Sequence, residues 1–210
     1  MFLIKNLKYK LQSFELSCPE LQFESRGITA IRGPSGSGKT TFFKILIGEY
    51  SPQGWSWQLN GIELANTEVS ERQLGVIFQS YELFPHLTAE ENIKIIMKAR
   101  NNFSSLAKAQ LEKFKQQLQL GFCWHTRAEN LSGGEKQRTA VLRAIMSKPK
   151  LILMDEPFSA LDASLRHESR ALVKTVIDEA GIPALMITHD EEDCHQLADR
   201  TIQMADGRFL

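Results

Sequence analysis

The chain opens on alternation. Between residues 1 and 25 apolar and polar positions trade places, as in Phe14-Glu15-Leu16-Ser17, a pattern that predicts short strands with one buried face. Gly27-Ile28-Thr29-Ala30-Ile31 breaks the alternation. It is a short apolar run with β-branched residues that ends in a Gly-rich loop, as a buried strand feeding a turn would. Trp55, Trp57 and Leu59 then alternate with Ser56 and Gln58, and Asn60-Gly61 follows, which predicts a hairpin with a tight turn. The tryptophans read as core or sheet face.

The period changes at Thr88. Thr88-Ala-Glu-Glu91 has the capping-box spacing that opens a helix. Ala107, Leu111, Phe114 and Leu118 recur at helical spacing, and a further helix is predicted from Ser132 to about Ser147. Residues 86–145 therefore read as a mainly helical insertion. Strand patterns stand at Gly75–Phe78, Leu151–Met154, Ala184–Thr188 and Thr201–Met204, with a helix over 163–180. Strands that alternate with helices predict an α/β fold on a parallel sheet.

The length of 210 residues suits one domain, at roughly 100–200 residues per domain. The formal net charge of zero gives no sign of a nucleic-acid partner. Cys18, Cys123 and Cys194 lie far apart and form no metal-type pair, so three reduced thiols in a cytosolic protein are expected. No apolar run nears the roughly 20 residues needed to span a bilayer. Lys5, Lys8 and Lys10 interrupt the N-terminal apolar residues, so no signal peptide is expected. A role at a membrane would need another subunit to cross it.

Three segments carry candidate chemistry. Gly33-Pro34-Ser35-Gly36-Ser37-Gly38-Lys39-Thr40 fits G-x-x-x-x-G-K-[ST] between a predicted strand and a helical run beginning at Thr41. Glycines let backbone N–H groups wrap a polyphosphate, and the helix N-terminus adds positive charge. Lys39 would meet the β- and γ-phosphates, and the Thr40 hydroxyl can ligate Mg²⁺. Leu151-Ile-Leu-Met-Asp155-Glu156 is an apolar strand ending in two carboxylates. At the C-terminal end of a parallel strand they would face a ligand crevice, with Asp155 near the metal and Glu156 beside the attacking water. Taken alone, the pair could equally be helix-start acids valued only for the dipole. In Leu131-Ser132-Gly133-Gly134-Glu135, Ser132 and Glu135 form a second capping box. The glycines would admit a phosphate, yet physics alone favours an ordinary capped helix.

In this order the segments resemble the ATP-binding cassette (ABC) ATPases over the whole chain. Gly33–Thr40 resembles their Walker A loop, Leu151–Glu156 their Walker B strand, and Leu131–Glu135 their LSGGE signature. Gln79 resembles the Q-loop glutamine, Ser159-Ala160-Leu161-Asp162 the D-loop and His189 the switch histidine; a lone histidine after a strand would more often be structural. The resemblance implies a P-loop core with a small antiparallel β-subdomain and the inserted helical subdomain. It also implies roles. Lys39, the loop amides and Thr41 hold the phosphates. Thr40 and Gln79 ligate Mg²⁺ with Asp155 behind. Glu156 is the general base and His189 contacts the γ-phosphate. Ser132 and Gly134 contact the γ-phosphate from the opposite subunit of a dimer, and Gly133, Glu135 and Asp162 are further nucleotide-binding residues. Tyr9 would stack on adenine, or else merely pack the sheet.

The implied activity is ATP hydrolysis at the cytoplasmic face of the cell membrane, in partnership with transmembrane permease subunits and a periplasmic or extracellular solute-binding protein. Asp155-Glu-Pro-Phe-Ser-Ala-Leu-Asp162 resembles importers of the spermidine, thiamine, molybdate and sulfate type. Export or lipoprotein-release ATPases, which typically read DEPTGNLD, are the alternative, as are non-transport ABC ATPases with tandem cassettes or coiled-coil insertions. The sequence ends at Leu210, soon after His189, and leaves no room within it for the C-terminal regulatory domain of maltose-type ATPases. Tyr81, Leu83, Phe84, Pro85 and Leu87 are expected to form the permease-docking surface.

Overall fold

The computed structural model describes residues 1–11 and 14–210. In chain order the elements are β1 (Phe2–Leu11), β2 (Phe14–Phe23), β3 (Ile28–Arg32), α1 (Lys39–Ile47), β4 (Ser56–Leu59), β5 (Ile62–Glu63) and β6 (Leu74–Ile77). Then come α2 (Ala89–Ala99), α3 (Ser105–Gln117), α4 (Gly133–Met146), β7 (Leu151–Asp155), α5 (Ala163–Ala180), β8 (Ala184–Thr188), α6 (Glu191–Leu197), β9 (Arg200–Ala205) and β10 (Arg208–Phe209).

The strands form a ten-stranded sheet in the order β5-β4-β1-β2-β10-β9-β3-β8-β7-β6. Its two halves obey different rules. From β9 to β6 neighbouring strands are parallel, and the central three, β3, β8 and β7, are buried on both faces. That explains their unbroken apolar runs. Along β7, Leu151 and Leu153 pack with Phe42 and Phe43 of α1, whereas Ile152 and Met154 pack with the helices on the other face. The antiparallel half pairs β1 with β2 and β4. The predicted turn is present between β4 and β5: Asn60 and Gly61 have φ of 49° and 83°, the paired positive values a type I′ turn needs.

The helical segment between β6 and β7 contains α2, α3 and α4. Both predicted capping boxes form, at Thr88/Glu91 and Ser132/Glu135. α4 returns against β6 at Gly75, where a Cβ would stand 3.1 Å from the Ala144 carbonyl oxygen. The helix α6 and the strand β10 were not foreseen from the pattern. α6 is about two turns of mostly polar residues after β8, and β10 has only two residues, too short for alternation to register. Among the described residues, no helix is long and apolar enough to cross a membrane.

Candidate nucleotide site

The site grows from the end of β3. The chain leaves the sheet at Arg32 and folds back over residues 33–38 before α1 begins. A Cβ on Gly33 would lie 2.1 Å from the Met204 carbonyl oxygen, so the loop can run flush against β9 only with glycine there. Gly36 and Gly38 have φ of 80° and 104°. Gly38 is the N-cap of α1 and supplies no side-chain cap, which leaves the first-turn amides available to an anion. The Ser37 hydroxyl is buried beneath the loop without a hydrogen-bond partner among the described residues.

This loop forms the floor of a cavity of about 1060 Å³. The cavity gathers Gly33, Pro34, Ser35, Gly36, Gly38, Lys39, Thr40, Thr41, Gln79, Glu156 and His189, residues spread over more than 150 positions of sequence. Parallel strands bring them together. β3, β6, β7 and β8 all end at the same edge of the sheet, so whatever follows each strand meets the others there.

Lys39 is 7% exposed, and its ammonium donates to the carbonyls of Gly33 and Pro34 at 2.7 and 2.9 Å. Burial lowers its pKa, while Glu156 and then Asp155 pull it back up. Asp155, the last residue of β7, is not among the residues that line the cavity. Burial first, then the charge of Glu156, push its carboxyl up to about 6, against the pull of Lys39 and Lys44. Glu156 has φ of 47°, a left-handed conformation costing about 1–3 kcal/mol, held by its backbone N–H, which donates to the Ile187 carbonyl at 2.9 Å. His189 Nδ1 lies 2.7 Å from Glu156 Oε1. In the tautomer with hydrogen on Nδ1 the ring donates to this carboxylate and keeps Nε2 as its other nitrogen.

Behind this pair runs a polar network that the sequence did not disclose. The Thr188 hydroxyl donates to Asp193 at 2.8 Å, and Asp193 receives Arg170 Nε at 2.7 Å. Asp190, next to His189, receives Arg166 and Arg170 at 3.0 Å each. Arg166 also donates to the Leu161 carbonyl at 2.9 Å, which ties the segment before α5 to the segment after β8.

Several expected residues stand elsewhere. Tyr9 is not in the cavity wall. It stacks on Tyr50 with ring centroids 5.0 Å apart and packs against the core of the antiparallel half. Leu11 and Phe14, which flank the β1–β2 connection, line the cavity in its place. Alternation showed that Phe14 lay in a strand, but only register shows which end of β2 reaches the loop. Arg32 and Gln203 are further wall residues that carried no motif. Of the docking candidates, Tyr81 is 4% exposed and belongs to the core, whereas Phe84 is 44% exposed. Ser132, Gly133 and Asp162 are exposed, and none of Ser132–Glu135 nor Asp162 lines the cavity.

Comparison with known proteins gives the family and the fold. The sequence profile described as "ABC transporter" matches residues 16–159. The chain is 34% identical over 98% of its length to the sulfate/thiosulfate import ATP-binding protein of Vibrio cholerae, and 37% identical over 95% to the spermidine/putrescine import ATP-binding protein of Spiroplasma citri. It spans 56% of each of those relatives. A dimeric post-hydrolysis structure of the ATP-binding cassette MJ0796 bound to ADP and Pi superposes with a TM-score of 0.81 at 27% identity, covering 99% of this chain and 96% of that one. A profile match over more than half the chain, with relatives above 30% identity along nearly all of it, places this protein in the ABC transporter family.

Proposed function

We propose that the protein is the ATP-binding and ATP-hydrolysing subunit of an ABC import system, working as a dimer under transmembrane permease subunits at the cytoplasmic face of the membrane. One observation carries the reading: the phosphate-type loop, the Glu156–His189 pair and Gln79 open into one cavity. The import direction is supported by the names of the relatives.

The residues fit a magnesium-bound polyphosphate. Uncapped amides of α1 and the Lys39 ammonium suit an anion. Among the described residues no three His, Cys, Asp or Glu side chains converge as a metal cluster. The mixed oxygen set of Thr40, Gln79 and Asp155 instead suits a hard cation that keeps waters and phosphate oxygens as ligands. When bound, Mg²⁺ supplies charge neutralisation at the β- and γ-phosphates. The chain does the rest by positioning. Lys39 and the loop amides hold the phosphates in place, Glu156 accepts the proton of the attacking water, and the Nδ1–H of His189 fixes the Glu156 carboxylate.

The signature segment, exposed at Ser132 and Gly133 and outside the cavity, supports a composite site. Ser132–Glu135 of one copy would meet the loop of the other, and twofold symmetry would make two such sites. On the base side, Phe14 rather than Tyr9 supplies the aromatic face. A periplasmic or extracellular solute-binding protein would complete the importer, and Phe84 is the exposed aromatic offered to the permease.

The test is Glu156→Gln. The amide preserves size but cannot take a proton, so turnover should fall by about 10²–10⁴ while ATP binding persists. Near-normal hydrolysis by this variant removes Glu156 from the role.

A further inference from the structure

The loop after β6 carries Gln79 and then does something unusual. Tyr81 and Glu82 are consecutive non-glycine residues with φ of 64° and 44°. Left-handed backbone is disfavoured for side chains with a Cβ, and two in succession need an outside hold. That hold comes from α4. Arg143 donates from one terminal nitrogen to the Glu82 carbonyl at 2.6 Å and from the other to the Tyr81 carbonyl at 2.9 Å. The planar guanidinium is suited to such a two-pronged contact, and a lysine ammonium is not. Around it the seam is close. α4 touches β6 at Gly75, Tyr81 is buried, and its amide donates to the Phe78 carbonyl at 2.9 Å.

The same helix begins at Ser132. Eleven positions separate Ser132 from Arg143, about 16 Å along the axis at 1.5 Å per residue. One rigid helix therefore joins the signature segment at its start to the Gln79 loop near its end.

We propose that Arg143 is a positioning residue for Gln79: its guanidinium holds Tyr81 and Glu82 in their left-handed conformation, which keeps Gln79 aimed into the cavity and couples that loop to the helix bearing Ser132–Glu135. The inference rests on the reading of Gln79 as a magnesium ligand. The plainer alternative is that Arg143, a cation in the last turn of α4, only offsets the helix dipole. Arg143→Lys separates the two, because it keeps the charge and loses the fork.

The first readout needs neither nucleotide nor metal. Hydrogen exchange of residues 78–84 should be at least tenfold faster in Arg143→Met than in the wild type, with Arg143→Lys closer to Met than to wild type. The second readout splits binding from metal use. Affinity for metal-free ATP should stay within twofold, while the Mg²⁺ concentration for half-maximal turnover rises at least tenfold. Adding Glu82→Gly to Arg143→Met should recover part of that loss, since glycine adopts positive φ without help. Should Arg143→Met fail to fold, Arg143→Lys carries both measurements. Unchanged exchange in 78–84, or Arg143→Lys indistinguishable from wild type in both readouts, overturns the proposal. Gln79→Ala is the control: if it leaves the Mg²⁺ dependence unmoved, the ligand reading of Gln79 fails, whereas a shift there without one in the Arg143 variants fails Arg143 alone.

Discussion

Two helix N-termini in this protein have the composition of phosphate sites, and they are built in opposite ways. α1 starts at Gly38, which has left-handed backbone and no side-chain cap, at the floor of a cavity. α4 starts at Ser132, exposed and fully capped. Glu135 accepts from the Ser132 amide at 2.7 Å and from its hydroxyl at 2.8 Å, and the Glu135 amide reaches back to Ser132 Oγ at 3.4 Å. α2, whose Thr88/Glu91 box has matching bonds at 2.8, 2.9 and 3.2 Å, is capped in the same way. Local geometry thus marks α1 as an anion cradle and leaves α4 looking like any well-capped helix. What sets α4 apart is composition and placement: two glycines in its first turn, of which Gly133 is exposed beside Ser132 while Gly134 is buried.

The largest expected effect tests whether the two termini face each other across a dimer. Lys39→Ala damages the loop side and Ser132→Arg the signature side. Each variant alone should show no ATP-driven association. Their mixture contains one site with both lesions and one intact site, so association should return, as read by size-exclusion chromatography with ATP. Two folded variants that never associate on mixing would break the composite reading.

Next is the base side of the cavity. Phe14→Ala should weaken ATP binding by roughly 1–3 kcal/mol, the range of base–aromatic stacking, and Phe14→Trp should not. Tyr9→Ala should change ATP affinity much less, since Tyr9 stacks on Tyr50. Equilibrium binding by fluorescence checks both, and the reverse ranking would return the role to Tyr9.

At α4 the box itself is measurable. Ser132→Ala should lower unfolding stability by about 1 kcal/mol in chemical denaturation, as loss of a capping side chain does elsewhere. No loss would mean that the exposed box carries no stability.

The last effect belongs to the cavity side and depends on pH. The carboxyl of Asp155 titrates near 6 in the folded chain against an ordinary 3.8. A raised value means the folded state binds the proton more tightly than the unfolded state. The charged form therefore destabilises above pH 6, and the penalty vanishes below about pH 4. Without nucleotide and metal, Asp155→Asn should melt above the wild type at pH 7.5. The gap should close between pH 6 and 4. An equal gap at both ends would assign the effect to packing.

Much of this was legible beforehand, for local reasons. The P-loop spacing, both capping boxes and the Asn60-Gly61 turn each encode their geometry within a few residues. The apolar run of β7 announced a strand buried on both faces. Tyr9 and Phe14 show where such reading stops. Both are aromatics in alternating segments close to the loop, and nothing local says which one lines the cavity. Pairing of Tyr9 with Leu16, and the attachment of β2 to β10, decide that the Phe14 end reaches the cavity.

The sequence by itself determined the phosphate loop, the acidic end of β7, the helical insertion and the family resemblance, because each depends on contacts within one strand, turn or helix start. Only the tertiary structure decided what those parts meet. The Glu156–His189 contact spans 33 positions, and the Arg143 hold on Tyr81 and Glu82 spans 62 and 61. The Arg170–Asp193–Thr188 network is likewise made only when α5 packs beside α6. Such contacts leave no periodicity in the chain. They arise because parallel strands deliver their C-terminal ends to one edge and helices lock across them, and that arrangement is a property of the whole sheet.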